Sequence, residues 1–335
     1  MKQRETWADI TKAIGILGVV LGHAGVPSIA KYMYWFHMPF FFLMSGYFFK
    51  PLSSWKQFPS WGWKKTKQLL IPYICFFMFI MMIRMIFHPP PDGITTYTIK
   101  QELWNMLYGG KILRSYYGVF WFITTMYLTQ MIFQCFHLSM KKPKQIVAIS
   151  VSCYLLAHLI SVYFYQMKKD IIPIPWNADV TFIAIFYFMI GSYMKRYIQR
   201  LRNSKIQQWA IFTLAGSLIL MDINGWMSYG LNLKNSNYQH FLLDILIPLV
   251  FSFVVIILAI WMEKIPTLMR EWIQKIGQES LVIMYLHIPV NMVLNQYFVY
   301  DIYDYTFFGI LIPMFLSIHI LSKTVTTRLL FLGKA

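Results

Sequence analysis

The sequence predicts an all-α integral membrane protein with about ten transmembrane helices and both termini in the cytoplasm. Three observations indicate this class: a strongly apolar composition, apolar segments of membrane-spanning length, and basic residues concentrated between alternate segments. Of 335 residues, 58% are hydrophobic and 13% are charged, whereas soluble domains have about 45–50% apolar and about 25% charged residues. So little charge cannot cover a water-facing surface. The composition therefore excludes an ordinary soluble enzyme, a disordered chain and a nucleic-acid-binding module, despite a formal charge of +17.

A helix that crosses the roughly 30 Å hydrocarbon layer needs about 20 mostly apolar residues. Ten segments meet or approach this length: Ile10–Ser28, Tyr32–Phe49, Leu69–Phe87, Tyr117–Leu138, Ile146–Tyr165, Val180–Met194, Ile206–Ile223, Phe241–Met262, Leu281–Tyr297 and Tyr305–Leu321. Because the sixth is short and the first contains a histidine, nine or eleven spans remain alternatives. No internal repeat or linker divides them, so we predict a single polytopic domain over residues 1–335.

The basic residues predict the orientation, because Lys and Arg concentrate in cytoplasmic connections. With ten spans and a cytoplasmic amino terminus, the inner side holds 22 of the 30 basic residues and five of the 13 acidic ones. The whole net charge then lies on that side. Asp179, Asp222 and Asp244 fall near outer helix ends, where solvated positions are expected and an acceptor pocket is the alternative.

The cysteines predict no metal site and no disulfide framework. Cys75, Cys135 and Cys153 are odd in number and widely spaced, unlike the patterns that hold zinc or form paired bridges. We therefore expect no metal and no bound cofactor.

The first segment contains an ionisable residue, His23, which is a functional hypothesis by default inside a membrane. Lys12 precedes it by eleven residues, which is about 16 Å along a helix axis and close to a whole number of turns. Asp9 lies on nearly the same face. The spacing predicts a cation at the cytoplasmic mouth directly below an imidazole in mid-membrane. The alternative is that His23 only hydrogen-bonds between helices.

Two other segments carry polar residues in apolar surroundings. His37 precedes Pro39, which frees a backbone carbonyl, so His37 belongs either to a polar cavity or to the outer interface. Ser280, His287 and Asn291 follow one another at spacings of seven and four residues, which places them on one helix face. Core hydrogen bonding and substrate contact are both open for this stripe.

Three lysines, Lys64, Lys65 and Lys67, precede the third segment. Anchoring at the cytoplasmic side explains them. The alternative is a phosphate-binding site for a cytosolic donor, since ammonium groups bind phosphates.

The opening of the chain resembles the membrane acyltransferase-3 family, and within it the fucose 4-O-acetylase-like subgroup. The resemblance continues in order along nearly the whole chain. It is carried by the segments 9–16, His23, 36–42, Ser45-Gly46, the lysine run ending in Pro72-Tyr73, 121–123, 188–191, 276–281 and 285–287. The signature of the family is an Arg followed eleven positions later by a His. Here Lys12 stands in the Arg position, and lysine lacks the bidentate fork of arginine.

The resemblance implies a membrane O-acyltransferase in the cytoplasmic (plasma) membrane of a bacterium. Such an enzyme moves an acyl group, usually acetyl, from cytosolic acyl-coenzyme A to a hydroxyl of a cell-surface glycan or lipid-linked sugar. On this hypothesis the coenzyme is a donor substrate, and the lipid bilayer and the acceptor glycan are the other partners; no nucleic acid is expected, and the oligomeric state is open.

The same hypothesis assigns roles to residues of this sequence. His23 is the general base, suited to proton transfer near neutral pH, and His37 or His287 stabilises the oxyanion or orients the acceptor. Cationic side chains hold the coenzyme phosphates, namely Lys12, Lys64, Lys65 and Lys67. Substrate contacts are assigned to Asp9, Trp121, Ser280 and Asn291.

The alternative function is a transporter or flippase of a glycan or lipid-linked sugar. Broken helices at matching positions in two halves of the chain are typical of transporters. The sequence has Pro39 in the second segment but no matching repeat later.

Overall fold

A computed structural model describes residues 5–91, 93–140, 142–167, 173–238, 240–299 and 301–334. Within these ranges the fold is all-α apart from one short hairpin. The helices are α1 (Thr6–Gly22), α2 (Pro27–Tyr34), α3 (His37–Tyr47), α4 (Phe58–Phe87), α5 (Thr96–Tyr108), α6 (Trp121–Ser139), α7 (Pro143–Ile160), α8 (Val180–Tyr193), α9 (Lys195–Asn203), α10 (Lys205–Ile223), α11 (Leu243–Met262), α12 (Thr267–Gln278), α13 (Ser280–Leu294), α14 (Ile302–Leu316) and α15 (Val325–Leu332). The hairpin pairs β1 (Leu231–Asn232) with β2 (Asn237–Tyr238) in antiparallel register.

Short 3₁₀ turns and two π-helical turns extend some of these helices. The 3₁₀ turns are Trp55–Gln57, Gly110–Ile112, Ser115–Tyr117 and Pro175–Asn177, and the π turns are Ser161–Met167 and Ser317–Leu321.

Six helical segments of the described chain are long and apolar enough to cross a membrane: Trp55–Phe87, Ser115–Ser139, Pro143–Phe164, Lys205–Ile223, Leu243–Met262 and Ile302–Leu321. A seventh results if α8 and α9, which are bent by 57° at their junction, form one broken span. These seven coincide with seven of the ten predicted segments. The protein is thus an all-α, multi-pass membrane protein. The predicted ninth segment is the shorter apolar helix α13, with 15 residues.

The first two predicted segments are not continuous helices. Helix α1 ends at Gly22, the chain turns at Gly25 with φ of 77°, and α2 begins at Pro27. Glycine adopts positive φ without strain, and proline suits the first position of a helix. This break corrects the prediction that His23 lies within a helix, because His23 instead follows the last residue of α1.

Helices α3 and α8 pack with their backbones almost in contact. A Cβ atom at Gly46 would lie 2.0 Å from the carbonyl oxygen of Phe188, and one at Gly191 would lie 1.9 Å from that of Leu43. Small residues allow such close approach between membrane helices. The two glycines therefore set the position of α3, which carries residues of the functional site.

The carboxylates predicted at solvated outer helix ends are instead buried and paired. Asp179, Asp222 and Asp244 are 4%, 8% and 0% exposed. The prediction of solvated positions is wrong because each carboxylate joins two elements of the fold through a basic partner. The pairs are Lys111–Asp179 at 2.5 Å, Lys31–Asp222 at 2.6 Å and His158–Asp244 at 3.1 Å, and Arg84 pairs similarly with Glu102.

Candidate functional site

Two cavities share four lining helices, α1, α3, α6 and α13. Helix α4 also lines one of them, and loops and the β1–β2 hairpin line the other. The histidine cavity has a volume of about 370 Å³ and is lined by His23, Tyr34 and His37, among others. The lysine cavity has a volume of about 670 Å³ and is lined by Lys12, Lys64 and Lys65, among others. Both volumes are in the range of small-molecule binding sites, roughly 300–1,000 Å³.

Each of the four helices contributes to both cavities at different levels. On α1, Lys12 lines the lysine cavity and Val19 the histidine cavity. On α13, Ser280 lines the lysine cavity and Met284 the histidine cavity. On α3 and α6, the residues that line the histidine cavity come first in the chain, and those that line the lysine cavity follow. The two cavities are therefore stacked along the axes of these helices.

Side chains of α3 and α6 contribute to the partition between the two cavities. Trp121 and Phe122 are neighbours in the chain but line different cavities. On α3, Met38 and Phe41 do the same and are separated by about 4.5 Å of helix rise. The rings of Phe41 and Phe122 have centroids 6.0 Å apart. These side chains therefore lie at the boundary between the two cavities.

Three histidines cluster at the histidine cavity: His23 and His37 line it, and His287 packs against His23. His23 is half-buried, its Nδ1 lies 3.3 Å from the hydroxyl of Tyr34, and its ring centroid lies 5.4 Å from that of His287. The ring of Tyr34 also packs edge-on against His37, with centroids 5.0 Å apart. The break between α1 and α2 produces this cluster, because it brings Tyr34 back over the end of α1.

The tautomers of the two buried histidines follow from their partners. Nδ1 of His37 lies 2.6 Å from the carbonyl oxygen of Met33, and Nδ1 of His287 lies 2.9 Å from those of Ile283 and Met284. A carbonyl oxygen only accepts, so Nδ1 carries the proton in both rings, and the neutral ring presents Nε2 as an acceptor. Nε2 of His287 is buried and has no hydrogen-bond partner among the described residues.

The lysine cavity is strongly cationic. Lys50 also lines it, together with Lys12, Lys64 and Lys65, and no acidic side chain of the described chain does. Lys12 is held by Asp9, with the Nζ–Oδ1 distance at 3.1 Å, and Asp9 is 1% exposed. Asp9 therefore positions Lys12 and does not itself line the cavity. Such a cluster of ammonium groups suits phosphate groups of a ligand.

The other predicted site residues are divided between the cavities and the helix interior. Trp121 lines the histidine cavity and Ser280 the lysine cavity, whereas Lys67 lines neither. Asn291 is buried and donates to the carbonyl oxygens of His287 and Tyr305 at 2.8 and 3.1 Å, which joins α13 to α14. Among the described residues, no three His, Cys, Asp or Glu side chains are arranged to hold a metal ion.

Sequence reasoning missed Tyr34, Arg114 and Lys234, which also line the histidine cavity. Arg114 lies before the 3₁₀ turn Ser115–Tyr117, and Lys234 lies in the β1–β2 hairpin. No motif marks these residues. Only a local signal is present: Tyr34 precedes His37 by three residues.

The fold combines apolar helices of membrane-spanning length with two stacked internal cavities of a size that suits small molecules. These features define a polytopic membrane protein with a candidate internal binding site. Residues 5–323 match the acyltransferase domain of the acyltransferase-3 family, and the chain belongs to this family. The match confirms the family predicted from the motifs and indicates a membrane acyltransferase. Comparisons with curated proteins and with solved structures gave no match.

Proposed function

We propose that the protein is a membrane O-acyltransferase that moves an acyl group, acetyl in the simplest case, from acyl-coenzyme A to a hydroxyl of a cell-surface glycan or lipid-linked sugar. The observation that carries this proposal is the pair of cavities stacked along α1, α3, α6 and α13. One cavity is cationic and suits a phosphate-bearing donor. The other contains an imidazole that suits proton transfer. The phosphate-bearing donor and the hydroxyl-bearing acceptor thus each have a cavity, and the reacting groups meet next to His23 once the donor's acyl end has passed the side-chain partition.

In this proposal the lysine cavity opens to the cytosol, both termini are cytoplasmic, and the protein lies in the plasma membrane with ten spans. The three short helices α1, α3 and α13 would complete the ten-span count as broken or incompletely spanning elements. The concentration of basic residues on the predicted inner side supports this orientation. The fucose 4-O-acetylase-like subgroup is part of the same proposal.

The proposed reaction begins with the acceptor hydroxyl next to His23. The imidazole takes the hydroxyl proton while the oxygen attacks the thioester carbonyl carbon. When the tetrahedral intermediate collapses, the carbon–sulfur bond breaks, and the imidazolium returns its proton to the coenzyme thiolate. The pantetheine arm reaches this point by passing the partition, where rotation of Phe41 and Phe122 opens a path. Acylated acceptor and free coenzyme A are the products.

The hydrogen bonds of His37 and His287 support an orienting role. Since each Nδ1 donates to a carbonyl oxygen, the neutral rings present acceptors. An acceptor nitrogen can bind a sugar hydroxyl but cannot donate to an oxyanion. We therefore assign His37 and His287 to orientation of the acceptor and of His23.

The test uses purified protein in nanodiscs with acetyl-coenzyme A labelled in its acetyl group. We expect the label to move to added oligosaccharides or lipid-linked sugars, with release of one free thiol per acetyl group transferred. Accumulation of unmodified sugar in proteoliposomes, with no thiol release, would establish the transporter alternative instead.

Removing the positive charge at the lysine cavity should weaken donor binding. In Lys64→Gln/Lys65→Gln, we expect KM for acetyl-coenzyme A to rise about tenfold or more with little change in kcat, because two charge-assisted contacts to phosphate are lost. The control is Lys67→Gln, which removes one positive charge from the same helix outside the cavity. An equal rise in KM for both variants would indicate a general surface effect and contradict a specific donor site.

A further inference from the structure

The histidine cavity has a cationic wall that the proposed chemistry does not use. Arg114 and Lys234 line it, and both also line a smaller cavity of about 300 Å³ next to it. Arg114 is exposed and Lys234 is half-buried. The two cationic side chains therefore lie between the histidine cavity and the smaller cavity. They belong to the loop-lined end of the histidine cavity and not to the side-chain partition.

Neither cation has an acidic partner among the described residues. Lys234 donates to the carbonyl oxygens of Leu113 and Gly118, the latter at 3.0 Å, which leaves one of its three N–H groups. Neither cavity is lined by a described acidic residue. Burial, together with the nearby charge of Arg114, lowers the pKa of Lys234 to about 8. A bound anion would relieve this repulsion.

The neighbouring lysine shows the contrast. Lys111 lines the smaller cavity, but its Nζ lies 2.5 Å from Oδ2 of Asp179, and the same oxygen accepts from Ser236. Asp222, Asp244 and Glu102 are also paired, each with its own basic partner. The carboxylates on this part of the fold are thus engaged elsewhere, and the charge of Arg114 and Lys234 is left for a ligand.

The backbone next to Arg114 is also unusual. Ser115 has φ of 52° and lines the histidine cavity. A non-glycine residue in this region is strained, and such strain persists where the surrounding structure imposes it, often at binding sites. The loop that presents Arg114 is therefore held in a defined conformation, by contacts that include those from Lys234 to Leu113 and Gly118.

We propose that Arg114 and Lys234 form an anion subsite for the acceptor, so that the acceptor is an acidic saccharide whose carboxylate or phosphate binds this pair while a hydroxyl lies at His23. Guanidinium binds both anions through a planar fork, and ammonium adds a point charge. This inference rests on the proposed function, because that function requires an acceptor hydroxyl at His23. It extends the proposed function by naming the class of acceptor. The anion subsite itself is independent of the reaction.

Binding is measured without donor, on the His23→Gln variant in nanodiscs, with methyl glucoside, methyl glucuronide and glucose phosphate as probes. We expect at least one acidic probe to bind about tenfold or more tighter than the neutral one, since each charge-assisted contact contributes more than a neutral hydrogen bond. The two acidic probes distinguish a carboxylate from a phosphate acceptor. Equal affinity for all three probes would overturn the proposal.

Variants show whether the preference arises at this pair. Arg114→Gln should reduce the preference for the acidic probe, whereas Arg114→Lys should retain part of it. Since Lys234→Gln removes hydrogen bonds to the loop, Lys234→Arg serves as a second variant that keeps the positive charge. The matched control is Lys100→Gln, an exposed lysine on α5 that lines neither cavity. A preference that survives Arg114→Gln/Lys234→Gln in folded protein would place the anion elsewhere and overturn the assignment.

The outcome is separable from that of the proposed function. Selective binding of acidic probes without any acyl transfer would leave the anion subsite standing and remove the reaction. Efficient transfer to neutral acceptors, with no preference for acidic ones, would keep the reaction and remove the subsite.

Discussion

Replacing His23 with alanine is expected to lower the rate of acyl transfer by about 10²–10⁴-fold, the usual contribution of a positioned general base. The physical reason is that the acceptor hydroxyl is a poor nucleophile until a base removes its proton. His23 is half-buried and lies after the last residue of α1. Its removal therefore deletes little packing, and expression and membrane insertion should remain normal. The loss should appear in kcat with little change in KM for acetyl-coenzyme A.

The control for this variant is His319→Ala, which removes an exposed imidazole that lines neither cavity. Its activity should equal that of the wild type. His37→Ala and His287→Ala are less informative, because both side chains are buried and hydrogen-bonded to backbone. Retained turnover in His23→Ala would show that His23 is not the general base.

Substitution of Gly191 by valine is expected to abolish the native packing of α3 on α8. Even the first added carbon would lie 1.9 Å from the carbonyl oxygen of Leu43, and backbone cannot rotate away as a side chain can. Overpacking of a core typically costs about 1–3 kcal/mol, and we expect Gly191→Val to exceed that range and Gly191→Ala to fall within it. The measurement is the apparent Tm in detergent, with size-exclusion homogeneity as a second readout.

Gly216→Ala on α10 is the matched control, because no atom lies within 4 Å of an added Cβ there. Alanine is favoured over glycine in a helix by up to about 1 kcal/mol, so this variant should be unchanged or slightly more stable. Since α3 lines both cavities, activity should fall together with Tm in the Gly191 variants. If Gly191→Ala has the same Tm as the wild type, the backbones of α3 and α8 are not held in such close contact.

The prediction of the long helices from sequence depended on length and apolarity alone, and for those helices it was sufficient. Seven predicted segments correspond to the six candidate spans and the bent pair α8 and α9. The break after α1 was also readable, because Gly25 and Pro27 are local signals for the end of one helix and the start of the next. The apolar composition of the first two segments nevertheless predicts one continuous helix for each.

The same limit applies to the outer carboxylates. Sequence position places Asp179 and Asp222 near helix ends, and helix ends are usually solvated. Their partners Lys111 and Lys31 lie in distant parts of the chain. Whether a charged side chain meets water or another charge depends on which segments pack together, and hydropathy contains no information on that.

The sequence by itself determined that this is an apolar, helical membrane protein of the acyltransferase-3 family, and it singled out Lys12 and His23, eleven residues apart. Only the tertiary structure decided that two stacked cavities share four lining helices, that Tyr34 returns over His23, and that Arg114 and Lys234 line the same wall. Periodicity and charge patterns involve residues that are close together in the sequence, so they can be read from the sequence directly. A cavity is formed by residues far apart in sequence, and its shape depends on how the helices pack around it.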